Sequence, residues 1–521
     1  MLKNVNKGFN FVVVGGGTAG WLSALYLKTY FPESNVSVIA SSEIGILGAG
    51  EGTTAHFLSF LDEIGISVTD LIKHANATFK NGIKFTNWNG DGTHYYHPFR
   101  DVDDLDHSFY SDLNFSDAPI MDIESIANGK NLDNIDFSAW ASEHNKVRYC
   151  PNIHIWNKKG DPFRHYDNLG KHGLHFDASL LAKYLQNVGQ LRGISLINSV
   201  VSEIISDETG NIKKIKLENN YSVPCDFVFD CSGFSRLIIG KHYNSEWIDY
   251  KDVLPVNRAL PFFIKNDSGV IPPYTESISM KYGWMWKIPV QGRFGCGYVF
   301  DSSLISDEEA KKELEEYLGF NIEIPRCFSF SAGCYSKQWI KNCVAVGLSS
   351  GFIEPLEATS IWVTIMSLHT FMENLQGLTH GDQHSIDRYN NFLKNTNQKI
   401  LDFLYFHYIT KRTDTDFWKN FKKNNTMPEY IKNIIIESNI CVPKKSYFRN
   451  DEIFPFKSWY HVGAGTRFFN QDHAQCLLDS VLQGSKIGYY KEFKENYHRN
   501  IQLNTSIITD HAKLLSDLKN F

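Results

Sequence analysis

The chain has 521 residues, of which 42% are hydrophobic, 21% charged and 14% aromatic, and its formal net charge is −6. That length is enough for roughly three domain-sized units of ~150 residues, which large enzyme domains often merge, and a mildly acidic chain has no positive field to recruit nucleic acid or an anionic membrane. The nine cysteines include no C-x-x-C pair, so a reducing, cytoplasmic compartment is expected rather than a disulfide framework. No apolar run approaches the ~18 residues of a membrane span. The basic start is followed by an apolar stretch too short for a signal peptide. Composition leaves a homo-oligomer open.

In chain order, Phe11 to Val14 reads as a buried strand, Gly15 to Gly20 as a glycine turn, and Trp21 to Tyr30 as a helix stopped by Pro32. Asn35 to Ile39 is the next strand, which completes the βαβ unit that opens a doubly wound nucleotide fold. The acidic stretch Asp101 to Asp106 and the polar region to about Asn145 read as an excursion. Leu180 to Leu185 is helical. Ile194 to Ile205 and Ile212 to Leu217 alternate as strands across a D-E-T-G-N turn. Phe227 to Cys231 is another buried strand. From about Trp362 the spacing becomes helical, as in Asn397 to Tyr408 and Thr505 to Leu518. Lys422 to Asn425 reads as a solvated loop. No internal repeat is present. The expected fold is α/β. A Rossmann-like two-layer lobe with an added antiparallel sheet spans 1–365, with inserted segments at about 95–170, and a mainly helical lobe spans 366–521.

Gly15 to Gly20 (GGGTAG) fits G-x-G-x-x-G between a strand and a helix. The first glycine permits the turn, the second lets the backbone approach a pyrophosphate, and the third packs helix on strand. The acid usually found about 20 residues on is replaced by Ala40, leaving Ser41 or Glu43 for a ribose. Small-residue turns recur at Gly48 to Thr54, at Asp230 to Gly233 and at Val344 to Gly351. Such turns spread over most of the chain are characteristic of FAD-binding two-domain proteins.

Three groups of residues carry potential chemistry. Lys80 lies in the mostly apolar segment ATFKNGI, where a desolvated amine becomes a nucleophile or a localised proton donor; a snorkelling surface lysine is the plainer alternative. Glu354 and Glu357 follow a glycine turn, as a general base or as acids that complement a helix dipole. Trp284 and Trp286 alternate in a strand, so both face one side, to wall a flat substrate or to fill a core. His94/His97, His172/His175 and His380/His384 have ligand spacing but no third ligand, so no metal site is expected. No G-x-S-x-G hydrolase motif is present.

The segment GWMWKIP at Gly283 to Pro289 resembles the G-W-x-W-x-I-P motif of flavin-dependent halogenases of the tryptophan halogenase family. The likeness extends to GGGTAGW (Gly15 to Trp21), GAGEGT (Gly48 to Thr53), ATFKNGIKFTNW (Ala77 to Trp88), YYHPF (Tyr95 to Phe99) and HFDASLLAKYL (His175 to Leu185). It continues through DCSGF (Asp230 to Phe234), GLSSGFIEPLEATSI (Gly347 to Ile361) and HYITKRTDTDFW (His407 to Trp418). It covers essentially the whole chain.

The resemblance implies that reduced FAD, O2 and halide give hypohalous acid. This is relayed to Lys80, which hydrogen-bonds it or forms a haloamine for electrophilic halogenation of an electron-rich, indole- or phenol-like ring. Glu357 is the implied catalytic partner. The halide is expected at Thr359 and Ser360, and FAD at Gly15, Gly17, Thr18, Ala19, Gly20, Ser41, Glu51, Gly347, Leu348 and Ile361. His97, Phe99, Trp284, Trp286 and Glu354 are expected to line the substrate pocket, with the two tryptophans keeping substrate off the flavin. The segment Phe454 to Gly465 resembles a further part of that pocket. Ala358 stands where the family usually has Ser, which points to an altered halide preference. No second nucleotide fingerprint is present for NAD(P)H, so a separate flavin reductase is the implied partner. The alternatives are a flavin-dependent aromatic hydroxylase, which needs neither Lys80 nor the tryptophan motif, and a catalytically degenerate FAD-binding protein.

Overall fold

A computed structural model describes residues 5, 8–43, 51–99, 120–147, 172–483, 487–488, 490–492, 494–495 and 508–520. The acidic stretch at 101–106 and much of the expected 95–170 insertion therefore lie outside the described residues. The chain divides into two compact units. One comprises Met1–Ala77, Phe176–Lys251 and Ser329–Gln398, the other Thr78–His175, Asp252–Phe328 and Lys399–Phe521. This division differs from the expected split at 365. The physical reason is strand pairing. Gly82–Thr86 and His94–Pro98 join the sheet built from residues 258–300, and composition along the chain does not reveal such long-range pairing.

In the first unit, a six-stranded sheet runs in the order Trp339–Ile340, Cys343–Ala345, Phe227–Asp230, Asn10–Val14, Asn35–Ala40, Ser195–Asn198. All neighbours are parallel except the first pair. The central strands are near-continuous apolar runs because both faces are covered. On one face, the meander Val201–Ser206, Ile212–Leu217 and Ser222–Pro224 contributes Ile215, Leu217 and Val223 to a core with Val12, Val14 and Val228. On the other, the helices Thr18–Tyr30 and Thr359–Glu373 pack, the latter placing Phe371 within 5.4 and 5.1 Å of the Phe227 and Phe229 rings. Phe11, Val12, Val13, Leu22 and Leu25 are at most 1% exposed, each contributing about 1.5–3 kcal/mol.

The second unit is built on a seven-stranded sheet in the order Phe328–Ser329, Arg258–Lys265, Arg293–Phe300, Gly283–Val290, Tyr274–Ser279, Gly82–Thr86, His94–Pro98. One face holds Leu260, Met285, Tyr298 and Phe300 against Ala310 and Leu314 of the helix Asp307–Leu318. That helix starts at a Ser306/Glu309 capping box and stops at left-handed Gly319. Among the described residues beyond 358, the elements are helical apart from the short strand Thr509–Asp510. Lys422 to Asn425 is a correction to the expected loop. Lys422, Lys423 and Asn424 form the solvated end of the helix Asp416–Asn424, because Phe417, Trp418 and Phe421 bury its opposite side. No helix among the described residues is long and apolar enough to cross a membrane, and all eight described cysteines are free.

Candidate functional site

Three of the small-residue turns follow strands that are immediate neighbours in the parallel sheet. Asn10–Val14, Phe227–Asp230 and Cys343–Ala345 all end on one edge, where α/β sheets bind ligands. The turns touch. A Cβ on Gly15 would stand 2.1 Å from the Cys231 carbonyl oxygen, and one on Gly347, at φ +73°, would stand 2.6 Å from Ala19 Cβ. A Cβ on Gly20 would stand 1.9 Å from Gly15 O, so only glycine lets the helix pack this close to the turn. Asp230, fully buried, accepts from the Ser232 N–H and hydroxyl at 3.1 and 2.6 Å and from the Ile238 and Ile239 N–H groups at 2.8 and 2.9 Å.

The missing ribose acid has a steric counterpart. A Cβ on Gly16 would stand 2.5 Å from Ala40 Cβ, so the strand end is crowded where the usual acid would sit. Ser41 Oγ accepts the Glu43 N–H at 3.3 Å. Glu51 lies in the strand Glu51–Gly52, but its side chain and all of 44–50 lie outside the described residues.

Glu354 and Glu357 are each 1% exposed and belong to the first unit. Ala358, at φ 54° and ψ 39°, is the N-cap of the helix Thr359–Glu373 and supplies no side-chain cap. Thr359 is buried, Ser360 and Leu348 are half-buried, and Ile361 is buried.

Lys80 belongs to the second unit. It is fully buried at the end of the strand Thr78–Lys80, with Nζ 5.1 Å from the Phe99 ring centroid. The plainer reading of a snorkelling surface lysine is therefore overturned by its burial. Trp286, Ser277, Phe85 and Tyr95 are consecutive cross-strand partners, and Trp284 pairs with Ser279. Trp284, Trp286 and His97 thus share one sheet face, opposite the one packed on Leu314. Trp284 and Trp286 are buried edge-to-face at 6.3 Å, and neither indole N–H meets an acceptor among the described residues. The His97 ring is 5.5 Å from Phe403 and 6.4 Å from Phe454, and these two phenyl rings stack at 4.0 Å. Phe403 carries no motif and was invisible to sequence reasoning.

The HYITKRTDTDFW segment has a structural role here. Arg412 pairs with Asp414, donates to Ser279 Oγ at 2.5 Å and lies 4.9 Å from the Trp418 ring centroid. His172, His175 and His511 surround the Lys80 strand. The spacing of the first pair was visible in the sequence, but His511 carried no signal at all.

The tryptophan halogenase family profile matches residues 10–481. The chain belongs to this family.

This flavin-dependent halogenase is 30% identical over 474 residues to the tryptophan 6-halogenase SttH of Streptomyces toxytricini, covering 86% of each chain. It is also 30% identical over 503 residues to the tryptophan 7-halogenase KtzQ of Kutzneria sp. (strain 744), covering 91% of this chain and 92% of that one. Among solved structures it resembles BrvH, a flavin-dependent halogenase from Brevundimonas sp. BAL3, with a TM-score of 0.83, 27% identity, and coverage of 98% and 99%. The halogenase's first turn fits the FAD that its family uses. Thr18 Oγ1 is buried without a partner among the described residues, and Gly17, the N-cap, has no side chain and open space where a Cβ would be. Together they leave the first-turn donors of a helix open to a pyrophosphate.

Proposed function

We propose that this halogenase installs halogen on an electron-rich, tryptophan-like or phenol-like ring, with Lys80 as the group that directs the electrophile. The observation that carries this reading is the burial of the Lys80 amine beside Phe99. An amine that reaches no bulk water can confine hypohalous acid, an otherwise indiscriminate reagent, to one place.

Bound reduced FAD, with O2, supplies the oxidising equivalents that convert halide to hypohalous acid. The chain's own residues do the rest. Thr18 and the N–H groups after Gly17 hold the pyrophosphate, and Gly347, packed on Ala19, belongs to the same cofactor site with Leu348 and Ile361. Ser41 is the candidate ribose contact. Backbone N–H groups of Thr359 and Ser360, at a helix start without a side-chain cap, suit a halide. Lys80 donates a hydrogen bond to the oxygen of hypohalous acid, or takes the halogen as a haloamine. On the hydrogen-bonded route the ring's π electrons form the carbon–halogen bond as the halogen–oxygen bond breaks. The departing hydroxide takes a proton from the Lys80 ammonium and leaves as water, and Glu357 accepts the ring proton. On the haloamine route water leaves when the amine takes the halogen. The ring then breaks the nitrogen–halogen bond while the Lys80 nitrogen regains the proton that the ring releases through Glu357. Trp284 and Trp286 offer an angled aromatic surface, and His97 continues the same sheet face, with Phe99 beside the Lys80 amine. A separate NAD(P)H-dependent reductase supplies reduced FAD.

The test is turnover of a panel of indoles and phenols with reduced FAD, O2 and chloride, bromide or iodide, read by mass spectrometry. A halogen mass shift lost in Lys80→Ala is expected. Oxygen insertion without halide dependence would replace the reading with an aromatic hydroxylase.

A further inference from the structure

Lys80 ends a three-residue strand, too short for its own ladder bonds to fix it firmly. Thr78, Phe79 and Asn81, the three residues around it, each meet a different buried histidine. Thr78 Oγ1 donates to Pro289 O at 2.7 Å and lies 3.2 Å from Nδ1 of His175. The Phe79 N–H donates to Nε2 of His511 at 3.0 Å. Asn81 Oδ1 lies 3.0 Å from Nδ1 of His172, and Asn81 Nδ2 donates to Lys146 O at 2.9 Å. All three imidazoles are at most 3% exposed.

The bonding pattern fixes two tautomers. Nε2 of His511 accepts the Phe79 N–H, so the proton sits on Nδ1, 2.9 Å from the Ile271 carbonyl oxygen. The Thr78 hydroxyl is spent on Pro289, so Nδ1–H of His175 donates to it and Nε2 accepts from Thr275 Oγ1 at 2.9 Å. Both rings are neutral linkers.

His511 is 432 residues from Phe79 and heads the helix His511–Asn520. That helix start is anchored twice. The His511 N–H donates to Asn145 O at 3.0 Å, and Thr509–Asp510 pairs with Lys146–Val147. Val147 follows the residue that Asn81 grips.

We propose that His511 is a positioning residue for halogen transfer. Its imidazole accepts the N–H of the residue preceding Lys80, so the setting of the Lys80 amine depends on the C-terminal helix being seated. The inference rests on the reading of Lys80 given above. A displacement of about 1 Å in a reacting group can cost on the order of a hundredfold in rate.

Two substitutions separate the two bonds of His511. Asn can still donate to the Ile271 carbonyl but is too short to accept from Phe79, whereas Gln places its carbonyl oxygen near the position of Nε2. Both variants, with Leu514→Ala as a packing control on the same helix, are assayed for flavin oxidation, for free hypohalite caught by a scavenger, and for halogenated product. In His511→Asn, product per hypohalite formed should fall about tenfold while flavin oxidation stays within about twofold, and His511→Gln should recover most of the loss. An unchanged ratio in His511→Asn, or an equal loss in Leu514→Ala, would overturn the proposal. Lys80→Ala is run beside them. If it uncouples the reaction and His511→Asn does not, only this inference fails; if it leaves product formation intact, the reading of Lys80 fails and the inference with it.

Discussion

Gly297 stands directly opposite Trp286 on the neighbouring strand, and a Cβ there would lie 2.1 Å from the Trp286 ring. The indole occupies the space that a side chain at 297 would need. Gly297→Ala should therefore force Trp286 off its rotamer, at a cost of about 1–3 kcal/mol. The expected result is a lower denaturation midpoint together with a raised KM for the aromatic substrate. A midpoint and KM equal to those of the wild type would show that Trp286 has room to move.

Gly347 tests the nucleotide edge. A side chain there meets Ala19 at 2.6 Å and must also adopt φ +73°, which costs an L-residue roughly 1–2 kcal/mol. Gly347→Ala should weaken FAD binding by about tenfold, as the turn pushes on the helix start proposed above for the pyrophosphate. Flavin fluorescence titration reads this directly, and an unaltered dissociation constant would separate the turn from the cofactor.

Ala358 is a left-handed N-cap without a side-chain cap. Ala358→Gly should stabilise the fold by about 1 kcal/mol, since glycine enters that conformation without strain. Ala358→Ser adds a hydroxyl next in sequence to Glu357 and should change the ratio of products formed from chloride, bromide and iodide. Identical ratios in the two proteins would remove position 358 from halide choice.

Two sets of buried groups should pull stability in opposite directions across the same interval below neutrality. Burial holds His511 down to about 4 and His175 well below the usual range. Unfolded chains then bind more protons, so stability is present above about 6.5 and is lost as pH falls through about 4, by roughly 3 kcal/mol for His511. Glu452 behaves oppositely. Burial raises it to about 7 despite Arg449, 3.7 Å away. The folded state then binds more protons between about 4.5 and 7, so stability drops as pH rises through that interval. Glu452→Gln should raise the denaturant midpoint at pH 8 and leave it nearly unchanged at pH 4.5. A variant less stable than wild type at pH 8 would mean that the Arg449 contact outweighs the burial.

Local chemistry made much of this protein legible along its chain. A glycine turn between an apolar strand and a helix has few alternatives. Period-two alternation put Trp284 and Trp286 on one face, and ATFKNGI announced a lysine in apolar company. Each of these depends on residues within a few positions of one another. Other features depended on pairing between distant segments. Lys422 to Asn425 looked like loop because its polar residues are adjacent, yet Phe417, Trp418 and Phe421 bury one side and keep the chain helical as far as Asn424. The split near 365 marked a change in composition, but hydrogen bonding between Tyr274–Ser279 and Gly82–Thr86 decided which segments fold together.

The sequence by itself determined the nucleotide turn, the sheet face that carries the tryptophans and the apolar neighbours of Lys80, because backbone sterics and side-chain alternation act over short range. Only the tertiary structure decided that three turns meet on one sheet edge and that His511, 432 residues from Phe79, holds the strand that carries Lys80. A hydrogen bond between an imidazole and a distant backbone N–H leaves no periodicity to read; it exists only once the chain has brought the two together.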